Sequence, residues 1–138
     1  MIEDKNIAQA LEENAARRGS HPAIIEGSRT ITYQELDPLV RCIAGHLSDQ
    51  RIGEGSIVGV CLPDCADHLM INYAVARLGA VILPMDWRWT EPEKRRIAEF
   101  FKVALIVGLA EAELSEFPYI SVDEAWHKAV TNRAPDMD

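Results

Sequence analysis

A length of 138 residues suits one globular domain or a portion of one, and 48% hydrophobic with 26% charged residues excludes a disordered tail. Fourteen Lys and Arg against 22 Asp and Glu leave a net charge of −8, which argues against broad binding to nucleic acid or anionic lipid, since both need clustered positive charge. The polar start, Met1-Ile2-Glu3-Asp4-Lys5, lacks an apolar stretch behind it, no run reaches the roughly 18 apolar residues of a membrane span, and three cysteines, an odd number, suit a reducing compartment. A cytoplasmic protein is expected.

Along the chain, Ile7, Ala10, Leu11 and Ala15 recur at helical spacing over 6–18, with Gly19 as a stop. Pro22 opens an extended stretch, Ala23-Ile24-Ile25-Glu26, and Gly27-Ser28 turns it into Thr30-Ile31-Thr32-Tyr33, the pattern of a β-hairpin. Thr32 with Glu35 predicts a capping box and a helix to about Gln50, with Leu36, Leu39, Val40, Ile43 and Leu47 inward. Pro38 removes a backbone donor in its second turn, so a kink is expected.

Beyond Gly53-Glu54-Gly55, the run Ile57-Val58-Gly59-Val60-Cys61-Leu62 is apolar on both faces and bounded by Pro63, as in a parallel sheet covered by helices. Residues 66–78 predict a helix with Leu69, Met70, Tyr73, Ala74, Ala76 and Leu78 as its apolar side. Val81-Ile82-Leu83 predicts a second buried strand stopped by Pro84. Thr90-Glu91-Pro92-Glu93 starts a helix that carries Ile97, Phe100 and Phe101 inward, and Val103–Val107 predicts a third buried strand. Tyr119-Ile120-Ser121 reads as a short strand and Asp123–Val130 as a short helix, with a ragged tail over 131–138. Strand and helix alternating with short connections predict an α/β, doubly wound, mostly parallel sheet with flanking helices and an N-terminal hairpin.

Few residues carry chemistry by spacing alone. Cys61, Cys65 and His68 form C-x3-C-x2-H without a fourth zinc ligand nearby, and Cys61 inside an apolar strand behaves as a small hydrophobe. Asp64 and Asp67 stand at the carboxyl end of a strand, where crevices form, but capping the next helix is the simpler role for them. His21, His46 and His127 stand alone. Lys94-Arg95-Arg96 is the densest basic run and suits a solvated helix face. Trp87-Arg88-Trp89 suits either stacking on a nucleotide base or covering an apolar interface. No glycine-rich phosphate cradle follows any strand.

Four stretches together are more specific. Thr30-Ile31-Thr32-Tyr33-Gln34-Glu35-Leu36 resembles the "T-Y-x-E-L" motif of the adenylate-forming, AMP-binding superfamily of acyl-CoA synthetases, luciferases and peptide-synthetase adenylation domains. Gly55–Pro63 is similar to its "G-D-x-V" strand, Arg77–Asp86 to its "G-A-(apolar)3-P" motif, and Thr90–Glu93 to its next helix start. The likeness runs over about residues 5–108, with Asp64-Cys65 where the family often has Asn.

The resemblance implies the N-terminal part of a larger domain in an AMP-forming acyl-CoA synthetase. There a carboxylate attacks the ATP α-phosphate, and a thiol then displaces AMP. ATP, Mg²⁺ and CoA are implied for the parent enzyme, with none expected tightly bound to this chain. Arg88 is implied as a contact to the nucleotide end of CoA. The family's Ser/Thr/Gly-rich phosphate loop, its "Y-G-x-T-E" motif, its ribose-binding Asp and its C-terminal lysine are not among these 138 residues. The fragment by itself is therefore expected to be an inactive scaffold, with the remainder of the enzyme and a small carboxylate as partners. Self-association through an exposed sheet face is also expected. The alternatives are an adenylation domain loading a carrier protein, and a stand-alone α/β interaction module.

Overall fold

A computed structural model describes residues 5–133, and every expected element is present in it. Helix α1 spans Ile7–Arg17, and Asn6 accepts from its third helical N–H while Gln9 reaches back, a full capping box. Strands β1 (Pro22–Glu26) and β2 (Arg29–Thr32) pair antiparallel across a two-residue turn, in which Gly27 has φ +58°. Helix α2 spans Tyr33–Asp49. Thr32 accepts from Glu35 N–H, but the Glu35 carboxylate accepts from the Thr32 hydroxyl and not from its backbone, so the expected box closes on one side. Pro38 lies within an unbroken helix.

Strands β3 (Ile57–Cys61), β4 (Val81–Pro84), β5 (Leu105–Gly108) and β6 (Tyr119–Ser121) form one parallel sheet in the order β4-β3-β5-β6. Helices α3 (Ala66–Arg77), α4 (Glu91–Phe101) and α5 (Glu124–Asn132) intervene or follow. Since side chains alternate along a strand, Val58, Val60, Leu105, Val107 and Ile120 enter one core, shared with Leu36, Ile43 and Leu47 of α2, Met70 and Ile71 of α3, and Trp126 of α5. The alternate positions, Cys61 and Ile106, enter a smaller core on the other face with Met85, Ala98 of α4 and Leu114. Helices thus cover both faces, and α1 packs across α2 and α3.

Four inward assignments are corrected. In α3, Met70, Ile71, Ala74 and Val75 are buried while Leu69 faces out; a helix apolar on most sides leaves several stripes open to choice, and the sheet decides among them. In α4, Ala98 is buried beside Lys94, whereas Phe100 and Phe101 are exposed. Strand β4 is an edge strand with Val81 half exposed, not a buried one. The sheet faces are both covered, so the exposed apolar surface belongs to helices, hairpin and edge.

Helix α5 continues through Thr131 and Asn132, where a tail was expected, and its end is tied down. Arg133 forms two bonds to Asp49 at 2.8 and 3.0 Å, and its carbonyl accepts from the Cys42 thiol. Residues 134–138 of the expected tail, and the polar Met1–Asp4, lie outside the described residues. No described helix is long and apolar enough to cross a membrane.

Candidate functional site

The carboxyl ends of β3, β4 and β5 lie side by side because the strands are parallel and in register. Each strand delivers its following loop to the same edge: Leu62–Cys65 after β3, Met85–Trp89 after β4, and Leu109 onward after β5. This is where ligand crevices form in open α/β sheets. A Cβ on Gly59 would meet Met85 Sδ at 2.7 Å, so the glycine lets the β4 loop fold back over β3.

Arg88 stands on that loop with its side chain in solvent. It is not free: Asp86 accepts from its Nε at 3.0 Å, its Nη2 at 2.8 Å and its backbone N–H at 2.9 Å, a bidentate clamp reinforced by a turn. These bonds from Arg88 hold the Asp86 carboxyl down at about 2. Asp64, at the end of β3, adds to the field on Arg88, so the two loops face each other. The Trp-Arg-Trp run divides: Trp89 packs on the smaller core, while Trp87 remains exposed.

A pH prediction follows from the clamp. A carboxylate depressed in the folded state contributes above its ordinary value of about 3.9 and loses that contribution as pH falls through about 2. Carbon-detected NMR titration of Asp86 is expected to show a midpoint near 2, returning toward 3.9 in Arg88→Ala; an ordinary midpoint in the unaltered chain would mean the clamp does not persist in solution.

The carboxylates expected to cap α3 do not. Its N-cap is Cys65, which makes no side-chain cap bond. Asp64 is fully exposed, 4.0 Å from His68. Asp67 instead joins His127 Nε2 at 3.0 Å, tying α3 to α5. The cap comes from outside the helix: Glu26, at the end of β1, accepts from Ala66 N–H at 2.6 Å, so a carboxylate 40 residues upstream occupies the positive end of α3. A cysteine at an N-cap position, a poor cap in itself, is the one signal in the sequence that a distant partner was needed.

That contact closes the floor of a cavity of about 420 Å³ between hairpin and α3, lined by Ile25, Glu26, Asp64, Cys65, Leu69 and Asn72. Burial pushes the Cys61 and Cys65 thiols up, keeping both neutral. Cys65 and His68 share the cavity wall, but Cys61 sits apart in the smaller core, so the three C-x3-C-x2-H residues do not converge, and no grouping of three or more His, Cys, Asp or Glu able to hold a metal ion exists among the described residues. His21 and His46 do not line this cavity.

A family model described as AMP-binding enzyme matches residues 11–136. Novobiocin biosynthesis protein H of Streptomyces niveus is 33% identical over 144 aligned residues, covering 99% of this chain and 24% of that protein. Phosphinothricin tripeptide synthetase PhsC of Streptomyces viridochromogenes is 38% identical over 76 residues, covering 55% of this chain and 7% of that protein. Among solved structures, a Mycobacterium tuberculosis fatty acyl CoA synthetase superposes with a TM-score of 0.87 at 22% identity, covering 96% of this chain and 29% of that one. The Klebsiella oxytoca NpsA N-terminal subdomain in complex with anthranilyl-AMSN gives 0.84 at 18%, covering 99% and 34%. The chain thus spans at most about a quarter of these curated relatives and about a third of these structures.

Proposed function

The chain belongs to the AMP-binding enzyme family, and on that premise we propose that it is the N-terminal portion of the large domain of an enzyme that activates a carboxylate with ATP as an acyl adenylate and passes the acyl group to a thiol. One observation carries this reading: residues 11–136 match the family model across all the elements that build the crevice edge. The parent is a ligase using ATP and Mg²⁺, working in the cytoplasm.

The role of these residues is structural. They form one wall of the crevice, and they do not fit a nucleotide triphosphate by themselves. The loops at the strand ends carry Asp64 and Asp86, and the cation beside them, Arg88, is already bound to Asp86. Displacing pyrophosphate needs positive charge aimed at the transferring phosphoryl group, so those groups belong to residues outside this stretch.

The acceptor thiol is CoA in the reading taken from the motifs, with Arg88 at the nucleotide end. The relatives above 30% identity include a tripeptide synthetase, which supports a second reading in which the acceptor is a carrier protein. ATP–pyrophosphate exchange with a panel of carboxylates tests the common part. The full-length enzyme is expected to exchange and the 138-residue chain not to; exchange by the chain alone defeats the scaffold role, and its absence from the full-length enzyme across aryl, amino and fatty acids defeats the activity. Arg88→Ala separates the acceptors. With CoA, loss of a charge-assisted contact is expected to raise KM for CoA about tenfold, with exchange unchanged; with a carrier protein, thiol loading stays as in the unaltered enzyme.

A further inference from the structure

Trp126 is 6% exposed in the main core, and its indole Nε1 is buried without a hydrogen-bond partner among the described residues. A buried indole N–H usually finds an acceptor, and leaving it unpaired is costly. The same residue borders a cavity of about 270 Å³ between α2, α3, α5 and the hairpin. Helical spacing builds the walls: Leu39 and Ile43 stand one turn apart on α2, Val130 lies one turn after Trp126 on α5, and Met70 comes from α3. Ile43, Met70 and Val130 are buried, so these walls belong to the packed core.

The polar groups of this cavity are mostly committed, with one exception beside the indole. The His127 ring meets that of Trp126 edge to face at 5.3 Å. Both Asp67 oxygens lie 3.0 Å from His127 Nε2. Arg29, the first residue of β2, borders the same cavity from an exposed position, and no described residue holds its guanidinium by a hydrogen bond or an ion pair. The acids nearest to competing for it are engaged elsewhere: Asp67 by His127, and Glu26, opposite Arg29 in the hairpin, by Ala66 N–H at 2.6 Å.

Apolar walls, a buried donor and an uncommitted cation suit one ligand chemistry. A neutral hydrocarbon answers neither donor, and an organic cation meets Arg29. A phosphate brings several charges against Leu39, Ile43 and Val130, which cannot solvate them. A small carboxylic acid in its ionised form has an apolar body, one charge and acceptor oxygens only. We propose that this cavity binds a small apolar monocarboxylate, its body against the core walls, an oxygen accepting from the Trp126 N–H, and Arg29 as its counter-charge. The inference stands apart from the proposed function, because every group it uses lies within this chain and its readout is binding, not turnover.

Sodium benzoate titrated into the ¹⁵N-labelled chain tests it. Three tryptophans give three indole signals. The Trp126 signal is assigned by its loss in Trp126→Phe or, where that variant does not fold, by elimination with Trp87→Phe and Trp89→Phe. It is expected to move saturably with Kd of about 1 mM or lower, while those of Trp87 and Trp89 stay in place. Arg29→Gln is expected to weaken binding about tenfold, whereas Arg18→Gln, outside the lining, leaves it unchanged. Sodium acetate and toluene, which keep only the carboxylate or only the ring, are expected to bind at least about tenfold more weakly. No saturable movement, equal affinity in Arg29→Gln, or an equal response to acetate or to toluene each overturns the proposal. Dispersed amide signals show that the chain is folded; if they collapse, the parent enzyme labelled at tryptophan takes its place, with the same outcomes.

Discussion

Replacing Ile71 with alanine is expected to cost about 2–5 kcal/mol of folding stability, while Leu69→Ala, two residues earlier, changes it by less than about 0.5 kcal/mol. Ile71 is completely buried in the main core, between the sheet and the neighbouring helices, whereas Leu69 is half exposed on the wall of the larger cavity. A close-packed interior collapses only partly around a deletion, so the loss combines transfer and cavity terms. Against a typical total of about 5–15 kcal/mol, one such change removes a large share. Urea unfolding reads it as a shifted midpoint at constant slope. Equal losses at both positions would mean that α3 is rotated from the orientation described.

The second large effect is expected at Gly108, the last residue of β5. A Cβ there would lie 2.4 Å from Tyr119 Oη, 3.1 Å from its Cζ and 3.2 Å from the Cys61 carbonyl. The phenol cannot swing aside freely, because it donates to Leu109 O at 2.6 Å and packs against the smaller core. Gly108→Ala therefore forces Tyr119 out of place, with overpacking of about 1–3 kcal/mol and a lost hydrogen bond of about 1 kcal/mol. Tyr119→Phe alone is expected to cost about 1 kcal/mol. The double variant is expected to be less destabilised than the sum, since the clash and the bond involve one oxygen. Strict additivity would show that the two residues do not meet.

Most of the architecture was legible because the strands announce themselves. Ile57–Cys61 and Leu105–Gly108 are short and apolar on both faces, and with helices alternating between them that pattern fits a two-sided parallel sheet. Caps were readable where the partner is local: Thr90 with Glu93 closes both bonds of its box, and Asp123 accepts from Trp126 N–H. The end of α3 was illegible because Glu26 reaches it only once the hairpin has folded over, a relation with no period and no spacing. Phe100 and Phe101 misled for a related reason. Apolar residues on a helix predict burial, but the face of α4 that meets the sheet carries Ala98, and Phe100 and Phe101 stay exposed among the described residues. At the crevice edge, Arg88 was visible as a residue type; its commitment to Asp86, two positions back, emerged only from the geometry.

The free side of β4 sets how copies of this chain can meet. The strand is four residues long and closes with Pro84, which offers no N–H. A stray segment laid along it would find too few rungs for ladder growth, the usual route from an open sheet to fibrils. The opposite edge, β6, is only three residues long, so association between copies is steered away from strand pairing and toward the greasy patches of Phe100, Phe101 and Ile25.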